Sequence, residues 1–250
     1  WTLGSDIWSL GRMPVVRSYL RRVLAGARYR YADGMKLRED TARIARKPTE
    51  FLPSCRHTNL GRPVPPRSSP PYRLAFLGRW HQNKGIDLLL EALRLMDKWA
   101  WKRIERIDIY GGGPLTDLVQ NEVSTLRQAG HPVEIHGFAP KQEAEEAIAN
   151  IDFLIIPSRI ESIPVVYSDA IKLGTPVIST PVGDLEELIG HQRTGVVAAS
   201  TEPRDIAAAI STALHMQPSL FTSDLRRAAQ QFDPKKVARR VAQDLLDPVT

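Results

Sequence analysis

The chain contains a single cysteine, Cys55, among its 250 residues. One thiol excludes an intrachain disulfide and a cysteine-rich metal cluster, and it is typical of a protein from a reducing compartment. No stretch approaches the roughly eighteen consecutive apolar residues that a membrane-spanning helix needs. The chain also begins without Met or a signal-peptide pattern, so we expect a cytoplasmic protein whose natural N-terminus lies further upstream.

Two common phosphate-binding motifs are missing as well. No P-loop occurs, and the glycine triplet Gly111–Gly113 fails the dinucleotide-binding fingerprint because Thr116 occupies its third glycine position. The triplet is better interpreted as a tight turn that allows close approach of the backbone, for example to a ligand.

Positive charge is concentrated at one end of the sequence. Residues 1–75 hold 15 Lys and Arg against 5 Asp and Glu, whereas residues 76–250 hold 19 against 23. Such a basic segment is either a solvated helix face or a surface for an anionic membrane or another polyanion. We expect no nucleic-acid binding, because no recognised binding motif accompanies the charge.

The proline-rich stretch 63–72 divides the chain. Five prolines in ten positions predict a stiff, extended linker rather than a helix or a central strand. The division gives a segment 1–62, the linker 63–72, a larger region 73–232 and a C-terminal helix within 233–250. In the first segment we predict helices near 15–27 and 35–45 and a short strand at 49–53.

Strands and helices alternate regularly after the linker. This pattern predicts an α/β fold: a Rossmann-like parallel sheet with helices on both faces. The predicted strands are 73–77, 104–110, 133–136, 153–156, 176–179 and 195–197, and the intervening helices lie near 86–96, 115–128, 141–150, 165–173, 184–189 and 206–214. Two short helices separated by Asp233-Pro234 are expected over 223–246.

Three loops should meet at the carboxyl edge of this sheet, where open parallel sheets bind their ligands. The loop 78–85 carries Arg79 and Lys84 before a helix, and this pattern favours a diphosphate, because a guanidinium, an ammonium and helix amides all bind phosphate oxygens. Alternatively, Arg79 and Lys84 are solvated surface cations that bind no ligand. The other two loops are the glycine triplet and the segment 157–164.

The loop 157–164 leads into a helix opened by Pro164. Glu161 lies just before that helix, and Asp169 lies about one turn inside it, leaning back toward the same crevice. The two carboxylates would bind hydroxyls, and the amides near 163–165 would bind phosphate oxygens. Alternatively, Glu161 is a capping residue and Asp169 an exposed acid.

Five motifs together resemble glycosyltransferase family 4, nucleotide-sugar enzymes whose GT-B fold has two facing Rossmann-like domains. In chain order the motifs are FLGRWHQNKGID, IDIYGGGPL, VEIHGF, PSRIESIPVVYSDAIKLGTPVIST and GDLEELI followed by GVV. The resemblance implies that 73–232 is the donor-binding domain and that 1–62 is a remnant of the N-terminal, acceptor-side domain. It also implies retention of anomeric configuration.

The family resemblance assigns roles to particular positions. Arg79 and Lys84 would hold the donor diphosphate, and Glu161 would face the transferred sugar; these three are the predicted catalytic residues. Asp169 would meet the ribose hydroxyls, and the backbone at Gly137 and Phe138 would flank the base. The predicted donor-binding positions are Gly78, Gly112, Gly137, Phe138, Ser162, Ile163, Pro164, Val165 and Asp169.

No metal and no cofactor are expected. The chain has no Asp-x-Asp motif to hold a metal-bound diphosphate, so the two cations would stabilise the leaving group instead. The donor substrate would be a UDP-, GDP- or ADP-sugar.

Two departures from the family pattern keep other functions open. Asp169 replaces the usual second Glu, and Leu3 stands where the family often has His. The leading hypothesis is a hexosyltransferase of polysaccharide or glycolipid biosynthesis that acts on a carbohydrate or lipid-linked acceptor, with peripheral contact to the inner face of the cell membrane. A non-catalytic nucleotide-binding or interaction module is the alternative, and a sugar-nucleotide epimerase is a third interpretation.

Overall fold

The structure is a computed structural model that describes residues 1–4, 7, 8, 10–59 and 66–246. Its main feature is a six-stranded sheet flanked by helices, in which every pair of neighbouring strands is parallel. The predicted Rossmann-like α/β fold is therefore confirmed. The strands are β3 (Tyr72–Leu77), β4 (Ile104–Tyr110), β5 (Val133–His136), β6 (Phe153–Ile156), β7 (Val177–Ser179) and β8 (Gly195–Val197).

Helices connect these strands and continue beyond the last one. They are α3 (Ile86–Arg94), α4 (Lys98–Lys102), α5 (Thr116–Gln128), α6 (Lys141–Ala149), α7 (Val165–Leu173), α8 (Leu185–Gln192), α9 (Pro203–His215), α10 (Thr222–Ala229) and α11 (Pro234–Leu246). Helix α3 shows why the sequence predicts them well. Its residues Ile86, Leu89 and Leu93 recur at helical spacing and are completely buried against the sheet.

The strand order places two loops side by side. The sheet runs β5-β4-β3-β6-β7-β8, so the chain leaves β3 toward one edge and later returns to pair β6 with the other side of β3. The order reverses between β3 and β6, so the connections that follow these two strands lead away from each other. They leave a crevice at the carboxyl ends of β3 and β6. The loops 78–85 and 157–164 follow those two strands and border the crevice.

The first segment forms a smaller lobe against the carboxyl edge of the sheet. It contains α1 (Pro14–Gly26), β1 (Tyr31–Ala32), α2 (Met35–Ala45) and β2 (Glu50–Phe51), and its buried apolar residues form a cluster separate from the main core. The carboxylate of Asp184 joins the two parts, because it accepts hydrogen bonds from the backbone amides of Met35 and Lys36 at the start of α2. An acid at this end of a helix also interacts favourably with the helix dipole.

Some elements differ from the predictions. The strand predicted at 49–53 is only Glu50–Phe51, and it pairs in parallel with β1, which was not predicted. Helix α4 was also missed; it is a five-residue helix that begins where Asp97 accepts a hydrogen bond from the amide of Ala100. Both elements are too short to show a recognisable hydrophobic period.

The C-terminal helices follow the prediction and return to the small lobe. Asp233-Pro234 separates α10 from α11, and the Tyr31 hydroxyl donates a 2.7 Å hydrogen bond to Asp244 on α11.

The domain boundaries themselves stay a prediction, since residues 60–65 of the predicted linker region and residues 247–250 lie outside the described residues. Within the described part of the chain, no helix has the length and apolar character needed to cross a membrane.

Candidate active site

The loops after β3 and β6 are fastened to each other. The amide of Arg159 donates to the carbonyl of Asn83 at 2.9 Å, and the Arg159 guanidinium makes two 2.8 Å hydrogen bonds to the carboxylate of Asp87. A bidentate pair of this kind fixes geometry as well as contributing energy. Arg159 therefore holds the first turn of α3 against the loop that carries Glu161.

Lys84 and Glu161 meet across these two loops. The Lys84 ammonium forms an ion pair with Oε1 of Glu161, and the same oxygen accepts a 3.1 Å hydrogen bond from the Ser158 hydroxyl. The Glu161 side chain is 10% exposed and that of Lys84 is 38% exposed. The two loops predicted to meet at the carboxyl edge of the sheet therefore bring these charges together, and the roles predicted for them stay a prediction.

A cavity of about 570 Å³ opens at this ion pair. Helix α7 begins at its wall, with Pro164 at the N-cap and Val165 as the first helical residue. The first amides of a helix have no partner within the helix and can bind an anion. Seven of the predicted site residues line the cavity: Gly78, Lys84, Glu161, Ser162, Ile163, Pro164 and Val165.

A second cavity, of about 430 Å³, adjoins the first. Both are lined by Leu77 and Gly78, and the second is also lined by the predicted site residues Arg79, Gly112 and Phe138. Arg79 is exposed and makes no ion pair with any residue that the structure describes. The two predicted cations therefore line adjoining cavities rather than one shared hollow.

The glycine triplet packs against the first loop. A Cβ on Gly111, whose φ is 142°, would lie 2.0 Å from the carbonyl oxygen of Gly78, so only glycine allows this approach. Gly112 has open space around it and accepts a 2.9 Å hydrogen bond from the amide of Trp80. Gly137 does not line either cavity, but its carbonyl accepts from the amide of Gly111 at 3.1 Å and so fixes the turn that presents Phe138.

The position of Asp169 differs from the sequence-based alternative of an exposed acid. Its carboxylate is completely buried and does not line the cavity that contains Glu161. Arg56 donates to Oδ2 of Asp169 from Nε at 2.7 Å and approaches it from Nη2 at 2.6 Å, and Lys172 lies 3.4 Å from Oδ1. The carboxylate is thus engaged by an ion-pair cluster through Oδ2, whereas its Oδ1 accepts no hydrogen bond from the described residues. The predicted contact with a ribose stays a prediction.

The front wall of the larger cavity was missed by sequence reasoning. It is lined by Leu3, Trp8, Asp33 and Ser54, all from the small lobe. Leu3 had been singled out only as a departure from the family pattern. Asp33 and Ser54 lie in the stretches ADGMKLREDTARI and TEFLPS, which resemble the end of the family's N-terminal domain, but no sequence pattern marks either residue as a neighbour of Glu161.

Asp33 places a third carboxyl group at this site. It is 6% exposed, and Ser54 donates a 3.1 Å hydrogen bond to its Oδ2. Burial raises the pKa of Asp33 above its ordinary value, the nearby hydroxyls of Ser162 and Ser54 oppose that rise, and the negative charge of Glu161 adds to it. The cavity thus holds two carboxyl groups of different environment, Asp33 and Glu161.

No group of three or more His, Cys, Asp or Glu side chains within the described ranges could hold a metal ion. The expectation that neither metal nor cofactor is needed stays a prediction.

Comparison with known proteins identifies the family. The family model for glycosyl transferases group 1 matches residues 71–216, which is more than half of the chain. The chain belongs to this family, in agreement with the resemblance of its motifs.

Several relatives carry glycosyltransferase names. The chain is 30% identical over 134 residues to an uncharacterized glycosyltransferase of Methanocaldococcus jannaschii, a match that covers 54% of this chain and 33% of that protein. It is also 30% identical over 166 residues to the D-inositol 3-phosphate glycosyltransferase of Jonesia denitrificans, covering 64% of this chain and 39% of the relative. The chain thus spans less than half the length of these relatives.

The fold is shared with solved structures. A crystal structure of Anabaena Alr3699/HepE in complex with UDP superposes with a TM-score of 0.74 at 18% identity, over 97% of this chain and 70% of that one. At this identity the likeness shows the fold alone.

Proposed function

We propose that this chain is the donor-binding part of a retaining glycosyltransferase. The whole protein would transfer a sugar, of the hexosyl type, from a nucleoside-diphosphate sugar to a carbohydrate or lipid-linked acceptor. One observation carries the proposal: Lys84, Glu161 and the start of α7 line one cavity, which continues past Gly78 into a second cavity beside Arg79.

The two cavities suit different parts of such a donor. The second cavity, between Phe138 and the glycine triplet, would take the base, and Arg79 at its edge would meet a phosphate. The diphosphate would then reach Lys84 and the first amides of α7, and the transferred sugar would lie beside Glu161 and Asp33. Anabaena HepE, which shares the fold, was crystallised with UDP, and this is in keeping with a nucleotide-sugar donor.

The chemistry depends on charge at the leaving group. When the glycosidic bond breaks, the diphosphate gains negative charge, and a preplaced cation stabilises it. The Lys84 ammonium is held at that place by Glu161, and Arg79 is free of ion pairs with described residues. We propose that these two cations act in place of a metal ion, and that no cofactor takes part.

Calorimetry with UDP, GDP and ADP tests the donor site. Arg79→Ala and Lys84→Ala should each weaken binding of the preferred diphosphate at least tenfold, because each removes a charge-assisted contact. Lys102→Ala provides a matched control, since this exposed lysine ends α4 just before the amino end of β4, away from both cavities. Unchanged affinity in both site variants would count against the proposal.

A non-catalytic nucleotide-binding module is the second candidate. It is favoured by the ion pairs of Asp169 with Arg56 and Lys172, which engage one of the two carboxylates expected at the crevice. Both candidates bind nucleoside diphosphates, so turnover separates them. A longer protein that contains this chain should transfer or hydrolyse the sugar of its donor if it is an enzyme, and it should bind the donor without turnover if it is a module.

Peripheral contact with the inner face of the cell membrane is part of the first proposal. Val15, Tyr19 and Val23 recur at helical spacing on α1 and are 83%, 68% and 50% exposed, and the exposed Arg22 lies on the same face. An apolar stripe flanked by arginine is typical of a helix that lies on an anionic membrane. Arg22→Glu should reduce co-sedimentation with phosphatidylserine vesicles, whereas Arg204→Glu on α9, an equally large change of charge, should not.

A further inference from the structure

A third cavity lies beside the cavity assigned to the base and shares one residue with it. Its volume is about 380 Å³, and the shared residue is Tyr110, the last residue of β4. Helix α6 borders both cavities, because Ala144 lines the second and Ala147 lines the third. Tyr110 therefore connects the nucleoside end of the proposed donor site with the side chains of the third cavity.

The ring of Tyr110 is stacked on the ring of His136. The two ring centroids are 4.3 Å apart, and the angle between the ring planes is 14°. The residues are partners in the parallel pairing of β4 with β5, and each is the last residue of its strand. Stacked aromatic pairs are stabilised beyond the area that they bury, so the imidazole of His136 restricts the orientations open to the Tyr110 ring.

The carboxylate of Asp108 in turn holds His136. Asp108 is 3% exposed, its Oδ1 is hydrogen-bonded to Nε2 of His136 at 2.9 Å, and its Oδ2 accepts a 2.7 Å hydrogen bond from Nε of Arg106. A carboxylate can only accept, so His136 donates from Nε2. A buried carboxylate is unfavourable unless it is paired and hydrogen-bonded. Asp108 therefore keeps both partners, and the imidazole under Tyr110 is fixed by its ring nitrogen.

The second cavity offers two aromatic side chains to a flat ligand. Phe138 is 84% exposed, and Tyr110 carries a hydroxyl with no hydrogen-bond partner among the described residues. A nucleotide base has a flat face that stacks on aromatic rings and a polar edge that can exchange a hydrogen bond with a hydroxyl. Of the two, Tyr110 is the one whose ring is stacked on a described neighbour.

We propose that Tyr110 contacts the base of the bound nucleotide and that His136 is a positioning residue that holds Tyr110 in place. This inference rests on the proposed donor-binding function. The geometry that carries it is the stack of Tyr110 on His136 together with the hydrogen bond that fixes His136 to Asp108. Both residues should therefore strengthen binding only of ligands that contain a base.

Calorimetry on the full 250-residue chain separates the base from the diphosphate. The ligands are the best binder among UDP, GDP and ADP, and inorganic pyrophosphate titrated as its competitor. Tyr110→Ala should weaken binding of the nucleoside diphosphate about tenfold, as loss of a base–aromatic stack does. His136→Ala should weaken it about threefold to tenfold, and His136→Phe, which keeps a ring under Tyr110, should recover most of the affinity. Affinity for pyrophosphate should change less than about twofold in all three variants.

His131→Ala is the matched control. His131 is stacked on Trp101 with centroids 4.0 Å apart and planes 13° apart, and none of the three cavities is lined by either residue. This variant should leave both affinities unchanged.

Three results would contradict the inference. Equal weakening of nucleoside diphosphate and pyrophosphate in His136→Ala would mean that His136 supports the loops rather than the base. Unchanged nucleotide affinity in Tyr110→Ala, or no recovery in His136→Phe, would also overturn the inference. Each of these outcomes leaves the proposed function intact, whereas binding of none of the three nucleoside diphosphates by the unaltered chain would overturn both.

Discussion

The Lys84 ammonium and the Glu161 carboxylate form an ion pair between loops that are 77 residues apart in sequence. Both groups line the larger cavity, so each can face either its partner or a ligand. A diphosphate that enters would compete with Glu161 for the lysine. The pair therefore connects donor binding to the position of the predicted catalytic carboxylate.

Glu161→Gln should separate binding from turnover. Removal of the negative charge leaves the Lys84 ammonium free for phosphate, so affinity for the preferred nucleoside diphosphate should stay the same or rise. Transfer by a longer protein containing this chain should fall by on the order of 10²–10³, since a charge facing the reacting sugar would be lost. Calorimetry and an assay of sugar release measure the two effects.

The control for this prediction is Glu187→Gln. Glu187 lies on α8 with a side chain that is 63% exposed, and neither of the two cavities is lined by it. This variant should change neither affinity nor rate. Loss of diphosphate binding in Glu161→Gln alone would contradict this prediction, and it would mean that Lys84 binds the ligand only while Glu161 holds it in place.

Much of the fold could be predicted from local patterns. The strands are short apolar runs and α3 has a clear helical stripe, so their positions follow from spacing alone. The loop residues Lys84 and Glu161 could be brought together because both follow parallel strands, and the carboxyl ends of such strands lie at one edge of a sheet.

Contacts with the small lobe could not be predicted in this way. Asp169 is paired with Arg56, which is 113 residues distant in sequence and belongs to a segment without a motif. Asp33 lies close enough to Glu161 for that charge to raise its pKa, and Asp184 fixes the start of α2, two residues further along the chain, against the larger lobe. Each of these positions depends on a long-range polar contact, for which a single sequence carries no periodic signal.

Gly85→Ala should destabilise the chain. Gly85 has a φ of 68°, and a Cβ at this position would lie 1.8 Å from the carbonyl oxygen of Pro157, in the neighbouring loop. An alanine side chain is therefore unfavourable for two reasons: the positive φ, and a clash where the two site loops meet. We expect a loss of more than about 1 kcal/mol in the free energy of unfolding, measured with urea.

Gly190→Ala is the matched control for that substitution. Gly190 lies within α8, and a Cβ there would have no heavy atom within 4 Å. Alanine is favoured over glycine in a helix interior, so this variant should gain up to about 1 kcal/mol. Equal effects of the two substitutions would contradict the described packing of the loops.

Asp33 should make the stability of the chain depend on pH. Burial raises the pKa of its carboxyl group in the folded state above the ordinary value of an unfolded chain, so the folded state binds the proton more tightly. Stability is then lost as pH rises from the unfolded pKa toward the folded pKa, and the loss persists at higher pH. Asp33→Asn removes this titration, and Asn can still accept the hydrogen bond from Ser54.

We therefore expect Asp33→Asn to unfold at a higher temperature than the unaltered chain at pH 7, with the difference shrinking as the pH falls toward 4. Thermal unfolding followed by circular dichroism between pH 4 and pH 8 measures it. Asp117→Asn removes an exposed carboxylate from the first turn of α5, where negative charge is favourable, so it should not raise the unfolding temperature. The opposite trend, in which the unfolding temperature of Asp33→Asn rises relative to that of the unaltered chain toward pH 4, would show that the folded state prefers the ionised carboxylate. Asp33 would then not be a desolvated acid beside Glu161.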